Sequence, residues 1–244
     1  MKNRTAIVTG ASRGIGMAIA LKLGEMGASV AVNYARDARA AESVCKQIMD
    51  MGSQAAALRA DMRNPREITA LFDQTIERFG SIDILVNNAG MALFKKIEDF
   101  TEDEFDDIFA LNVKGVFFAC QEAAKKMADG GKIINIASSV TKMMLPTYGA
   151  YAATKGAVEQ ITKVLAKELG HRKISVNAIS PGPVDTALFR EGKTEAQIRN
   201  LADMAAFGRI GTPGDIADAV ALLVNEQANW VSGQNLCVNG GLVG

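Results

Sequence analysis

Thr9-Gly10-Ala11-Ser12-Arg13-Gly14-Ile15-Gly16 is the stretch on which the reading of this chain turns. Immediately before it, Thr5-Ala6-Ile7-Val8-Thr9 is a short apolar, β-branched run of strand character. Immediately after it, Ile15, Ile19, Leu23 and Met26 recur on one helical face, and Gly27 ends that periodicity. Glycine permits a tight bend, and its missing side chain lets a pyrophosphate approach the backbone. The helix beyond offers free N–H groups and a positive dipole end to the same anion. The turn therefore predicts a dinucleotide site built from Gly10, Ser12, Arg13, Gly14, Ile15 and Gly16. In isolation an ordinary glycine-rich strand-to-helix turn reads the same way, so the flanking chain decides.

Outward from the turn, strand and helix signals alternate. Ser29–Asn33 predicts a second strand, and Ala38–Met51 a helix closed by Gly52. Ala55–Ala60 predicts a third strand, Pro65–Phe79 a helix with proline in its first turn, and Ile82–Val86 a fourth strand. Thr101-Glu102-Asp103-Glu104 is a capping box that opens a long helix reaching about Met127. Lys132–Ala137 predicts a fifth strand, Gly149–Leu169 a helix and Ile174–Ile179 a sixth strand. Pro181-Gly182-Pro183 begins an irregular stretch to about Gly211, followed by a helix over Pro213–Val224 and a last strand over Asn235–Val238. Strands this apolar, each followed by a helix, predict an α/β fold: a Rossmann-type doubly wound parallel sheet of about seven strands with helices on both faces. Residues 1–244 read as one domain, with a substrate lid over about 183–212. Ligands of such sheets sit outside the carboxyl ends of the strands, at the switch point.

With 244 residues, 48% of them hydrophobic, the chain is long enough for one sizeable core. Lys and Arg number 27, as do Asp and Glu, so net charge gives no reason to expect nucleic acid or an anionic membrane as partner. No apolar signal core precedes the first strand, and no apolar run approaches the ~18 residues of a membrane span, so a cytoplasmic protein is expected. Cys45, Cys120 and Cys237 are odd in number and far apart, and are expected as buried small hydrophobes in a reducing compartment. No Cys/His cluster points to a metal, and the single His171 reads as a surface or helix-end residue.

The TGxxxGxG spacing resembles the short-chain dehydrogenase/reductase family, and further motifs follow in that family's order. Asn87-Asn88-Ala89-Gly90 follows the fourth strand, and Asn112 stands in Leu111-Asn112-Val113 within the long helix. Asn135-Ile136-Ala137-Ser138 ends the fifth strand, Tyr151-Ala152-Ala153-Thr154-Lys155 forms YxxxK, and Pro181-Gly182 follows the sixth strand. The resemblance spans essentially the whole chain. It implies catalysis by Ser138, Tyr151, Lys155 and Asn112, with cofactor contacts from the glycine turn, Asp61, Met62, Asn88, Ala89, Gly90, Tyr151, Lys155, Pro181, Gly182, Val184 and Thr186. Tyr151 and Lys155 share a helical face, and a neighbouring ammonium is expected to bring the Tyr151 phenol down from its ordinary value near 10. Ser138 is expected to hydrogen-bond the substrate oxygen, with Ser139 as its competitor. By resemblance, Lys155 holds the nicotinamide ribose hydroxyls, and Asn112 holds a water linking Lys155 to solvent. Tyr148, seven residues before Lys155, has the spacing of the enoyl-thioester reductases of the same superfamily, but the glycine turn matches the carbonyl-reducing group.

Members that use NAD place an acidic residue at the end of the second strand. Here the sequence is Asn33-Tyr34-Ala35-Arg36, and Arg36 with Arg13 suits a 2′-phosphate. NADP(H) is expected, with NAD(H) as the alternative. Met91, Met144, Tyr148, Tyr151 and Ser138 are expected to line the substrate, beside Met143, Leu145, Leu188, Phe189 and Phe207. Within the family the chain resembles the 3-oxoacyl-[acyl-carrier-protein] reductases. That implies an acyl-thioester substrate and an acidic acyl carrier protein docking at Arg172. The companion position reads Ala128-Asp129-Gly130 and is not basic, leaving Lys125 and Lys126 as substitutes. A reductase of sugars, ketones or other free alcohols satisfies the same motifs, and so does a non-catalytic redox regulator that binds the dinucleotide. The resemblance also implies a homotetramer, formed through the two long helices and the C-terminal segment.

Overall fold

Alternate residues of each apolar strand point to opposite faces, so a strand that is apolar throughout needs cover on both sides. In the computed structural model, which describes residues 1–244, this is the outcome. The strands are β1 (Thr5–Val8), β2 (Ser29–Tyr34), β3 (Ala55–Arg59), β4 (Ile84–Asn87), β5 (Lys132–Ile136), β6 (Ser175–Pro181) and β7 (Asn235–Val238). They form one sheet in the order β3-β2-β1-β4-β5-β6-β7, and every pair is parallel. Ala6 and Val8 of β1, Ile84 and Val86 of β4, and Ile134 of β5 face one core, shared with Ile19, Leu23, Ile48 and Val220. Ile7, Leu85 and Ile133 face the other, shared with Leu71, Phe72, Ala119, Val158 and Leu165. The expected doubly wound α/β sheet is therefore observed. The order reverses between β1 and β4, which places the switch point beside the glycine turn.

The helices are α1 (Gly14–Glu25), α2 (Ala38–Asp50), α3 (Pro65–Phe79), α4 (Glu102–Phe109), α5 (Gly115–Lys126), α6 (Val140–Met143), α7 (Gly149–Leu169), α8 (Ala187–Arg190), α9 (Glu195–Asp203) and α10 (Pro213–Val224). Two expectations are corrected. The long helix predicted from Thr101 to Met127 is interrupted: after the capping box opens α4, Ala110–Lys114 widens into a π-turn before α5 resumes. The segment read as irregular to Gly211 contains α8 and α9. A second capping box, in which Thr194 and Gln197 exchange side-chain and backbone bonds, starts α9. Cys45 and Cys120 are buried as expected, but Cys237 is only half-buried, with Lys142 Nζ donating to its sulfur at 3.3 Å. His171 is exposed at the end of α7, its Nδ1 2.8 Å from the Glu168 carbonyl oxygen. No helix is long and apolar enough to cross a membrane.

Candidate active site

The glycine turn leaves β1 with Gly10 at φ 62° and enters α1 with Gly14 at φ 57°, left-handed conformations that side-chain-bearing residues seldom adopt. Gly16 is required for a different reason: a Cβ there would lie 2.4 Å from both the Gly10 carbonyl oxygen and Asn88 Nδ2. The turn is cross-braced to the end of β4. Thr9 Oγ1 accepts from the backbone N–H groups of Asn88 and Ala89, both at 2.9 Å. Asn88 Nδ2 donates back to the carbonyls of Thr9 and Gly10 at 2.9 and 3.2 Å. Ser12 and Ile15 are partly buried, while Arg13, at the N-cap of α1, is exposed.

Asn33 is a strut that the sequence reading passed over except as a missing carboxylate. It is buried, and its Oδ1 accepts from Gly10 N at 3.1 Å. Its Nδ2 donates to the carbonyls of Leu58 and Ala60 at 3.2 and 3.1 Å, so one amide ties the turn to β2 and β3. The signal was present in the sequence, as a lone amide ending an apolar strand. Asp37 caps α2 by accepting from Ala40 N, and so is committed elsewhere. Arg36 is exposed beyond the end of β2. Asp61 is gripped by Arg63, whose Nη2 and Nε donate to it at 2.8 and 3.1 Å. That hydrogen bonding holds the Asp61 carboxyl below its ordinary range, with Arg36 adding to the effect. Met62 is a core side chain, which leaves only its main chain for any ligand contact.

Past Asn88-Ala89-Gly90 the chain is held by Asn112. Its Oδ1 accepts from Met91 N at 2.9 Å, and its Nδ2 donates to Met91 O at 2.8 Å and Thr154 Oγ1 at 3.1 Å. Asn112 is fully buried and lies in the π-turn, which aims its amide out of the helix and across to α7. Its side-chain amide is thus occupied by protein partners.

Ser138 follows β5, and Tyr151 and Lys155 stand on the first two turns of α7. Ser139, the competitor, donates to Ser180 O and accepts from Asn239 Nδ2, both at 3.1 Å, and is spent on structure. Lys155 Nζ is buried, donates to Ile136 O at 2.8 Å, and lies 5.7 Å from the centroid of the Tyr151 ring. Burial pushes Lys155 down to about 8. The expected lowering of Tyr151 is not what the structure gives. Burial raises the phenol, against an opposing hydrogen bond with Ser138. Lys155 does not counter that rise: its ammonium is held on the Ile136 carbonyl, 5.7 Å from the ring centroid. At neutral pH this pairs a protonated phenol with an ammonium.

Beyond β6, Gly182 packs so closely on Asn239 that a Cβ would meet the Asn239 Cβ at 2.8 Å. Buried Pro181 ends the strand, and Val184 pairs with Gly211. Thr186 caps α8 and faces the glycine turn, its Cγ2 3.6 Å from where a Gly14 Cβ would stand. Tyr148 stands at the N-cap of α7, and its ring lies 4.4 Å from Phe94, tilted by 41°; the Phe94 ring lies 6.2 Å from that of Tyr151. Phe94 had no periodic signal in the sequence and was missed, as was Lys193, whose Nζ lies 4.9 Å from the rings of both Phe94 and Phe189. Met91 is partly buried beside Asn112, whereas Met144 is 84% exposed, and Leu188 and Phe207 are also exposed. The bases considered for carrier-protein docking are engaged internally. Arg172 bonds Asp129 and the carbonyls of Ala124 and Met127, and Lys125 and Lys126 pair with Glu122.

Known proteins share this arrangement. A family model described as enoyl-(acyl carrier protein) reductase matches residues 10–243. A short-chain type dehydrogenase/reductase of Picea abies is 42% identical over 250 residues, covering 98% of this chain and 92% of its own. A versicolorin reductase of Emericella nidulans is 39% identical over 253 residues, covering 99% and 96% respectively. The crystal structure of the angucycline C-6 ketoreductase LanV with bound NADP superposes with a TM-score of 0.93 at 41% identity, covering 99% of this chain and 96% of that one. With its sheet order, glycine turn and YxxxK geometry, the chain belongs to the short-chain dehydrogenase/reductase family.

Proposed function

We propose that this chain is an NADP(H)-dependent ketoreductase that interconverts a small-molecule ketone and its secondary alcohol. The observation that carries the reading is Tyr151 with the Lys155 ammonium over its ring and the Ser138 hydroxyl near enough to lower its pKa, at the strand ends beside the glycine turn. The residues fit a dinucleotide: the close approach at Gly16 and the left-handed Gly10 and Gly14 make a backbone cradle at a helix N-terminus. The bound cofactor supplies the hydride for reduction. Tyr151 gives its phenolic proton to the carbonyl oxygen, and Ser138 donates a hydrogen bond to the same oxygen as charge develops there. Lys155 stabilises the resulting phenolate and reaches the ribose hydroxyls. Asn112 acts through position, tying Met91 to Thr154, the neighbour of Lys155 on α7. Arg13 and Arg36 meet the 2′-phosphate, which favours NADP(H) over NAD(H); LanV, a ketoreductase of similar fold, was solved with NADP.

Residues 183–212 form the lid over the substrate, with α8 and α9 inside it. A free ketone is favoured over an acyl carrier protein thioester, because Arg172, Lys125 and Lys126 are neutralised within the chain. A homotetramer is supported by the exposed Phe105, Phe117 and Val164 on α4, α5 and α7. The test is a panel of ketones, sugars and acyl thioesters with NADPH and NADH, read as loss of reduced cofactor. Turnover of free ketones with NADPH is expected. Tight NADPH binding without turnover of any substrate would overturn the reading in favour of a redox regulator.

A further inference from the structure

Lys193 stands apart from the other charges of the lid. Its neighbour Arg190 is saturated: Nε and Nη2 donate to Asp185 at 2.6 and 3.0 Å, and Nη1 reaches Glu195 at 3.3 Å. Lys193 lies between Glu191 and Glu195 in sequence, yet pairs with neither. Gly192, at φ 70°, turns the chain after α8, and the Lys193 side chain runs inward to a half-buried position. There Nζ meets two aromatic faces, Phe94 and Phe189, each with its centroid at 4.9 Å. Burial alone acts on the ammonium, lowering its pKa, with no carboxylate close enough to raise it. An ammonium taken from water without a counter-ion is poorly compensated, since π faces attract the charge but accept none of its hydrogen bonds well.

The location explains the arrangement. Phe94 is the ring that Lys193 shares with the reacting tyrosine: Nζ lies 4.9 Å and the Tyr151 ring 6.2 Å from its centroid. The Phe94 ring also meets that of Tyr148, tilted by 41° at 4.4 Å, so aromatic rings line this approach to Tyr151. Resting on the ketoreductase reading, we propose that Lys193 is a specificity-determining residue that selects an aryl ketone carrying an anionic oxygen, carboxylate or phenolate, about one aromatic ring from its carbonyl. The aryl group stacks against Phe94 and Tyr148, the carbonyl meets Tyr151 and Ser138, and the anionic oxygen takes the hydrogen bonds that the aromatic box leaves open.

The experiment pairs each anionic ketone with a neutral control, using NADPH and the full chain. Para-acetylbenzoate is compared with para-acetylbenzamide. An ortho-nitrated para-hydroxyacetophenone, ionised at neutral pH, is compared with its methyl ether; these two arms distinguish carboxylate from phenolate. The wild type is expected to show a kcat/KM ratio of at least about tenfold in favour of the anion in one arm, expressed in KM. Lys193→Gln brings that ratio near unity, and Lys193→Arg preserves it. Calorimetry on the NADP-loaded protein adds a second readout: affinity for para-acetylbenzoate, or for the nitrophenolate, falls about tenfold in Lys193→Gln. A loss that is equal for anionic and neutral ketones means that Lys193 only latches the lid, and overturns the proposal. Turnover with no Lys193-dependent ratio in either arm overturns it too, while leaving the ketoreductase reading intact. Lys193-dependent anion binding without turnover of any ketone overturns the ketoreductase reading, and the substrate assignment with it.

Discussion

Replacing Asn33 by alanine removes four hydrogen bonds, three of them to other segments of the chain. The N–H of Gly10 loses its acceptor at 3.1 Å, and the carbonyls of Leu58 and Ala60 lose donors at 3.2 and 3.1 Å. They lie where β1, β2 and β3 end; the bond to Ala60 is buried, those to Gly10 and Leu58 are partly buried, and Asn33 is 1% exposed. A buried polar group left unpaired costs roughly 1–3 kcal/mol, and water entering the vacated volume recovers part of the loss. We expect a destabilisation of about 2–4 kcal/mol, which in a chain of this size lowers Tm by about 5–15 °C. Dinucleotide affinity falls with it, because Gly10 is the first residue of the cradle. Asn33→Asp separates this strut from the alternative in which the position merely lacks a ribose-binding acid. A carboxylate there still accepts from Gly10 but faces the Leu58 and Ala60 carbonyls without a donor, so NADH preference should not appear and stability should drop. Thermal unfolding monitored by circular dichroism, with KM for both cofactors, tests the pair. An alanine variant with wild-type Tm, or an aspartate variant that prefers NADH, would refute the reasoning.

Two further variants probe the charges. Arg36→Ala should raise KM for NADPH by about tenfold or more with little change for NADH, since one charge-assisted contact to phosphate is worth about 1.5–3 kcal/mol; an equal effect on both cofactors contradicts the 2′-phosphate role. Lys155→Met should abolish turnover and yet stabilise the cofactor-free protein. Burial takes Lys155 from 10.5 to about 8, so the folded state disfavours its proton; this penalty is fully present below about 8 and disappears as pH rises towards the unfolded value. Set against the lost bond to Ile136, the gain is about 1–3 kcal/mol at neutral pH by urea unfolding, shrinking in alkali. A less stable methionine variant, or a gap that widens with pH, counts against it.

The sheet and its helices were legible because each is a local pattern: apolar strands, periodic helix faces, and glycine and proline at their ends. The glycine turn, Ser138 and the Tyr151–Lys155 pair were legible for the same reason, being short motifs at strand and helix ends. What the sequence withheld depends on contacts between distant segments. The π-turn at Ala110–Lys114 carries Asn112, whose amide is bonded to Met91, 21 residues earlier. Helical periodicity alone continues through that point. The rise of Tyr151 could not be read from a four-residue spacing, because it follows from the burial of the phenol by segments that only the fold brings together. Phe94 and Lys193 lie in connecting segments with no repeating pattern, and only tertiary structure brings them to the site.

The central claim is that Tyr151, and not Tyr148, hands its proton to the carbonyl oxygen. The direct measurement is single-turnover oxidation of bound NADPH by a ketone substrate in Tyr151→Phe and Tyr148→Phe, with NADPH affinity measured on both. Tyr151→Phe should lose at least about 10²-fold in rate while still binding NADPH, and Tyr148→Phe should keep its chemistry within about tenfold. A Tyr151→Phe variant that turns over at the wild-type rate, or a Tyr148→Phe variant that is inactive with its cofactor bound, contradicts the account.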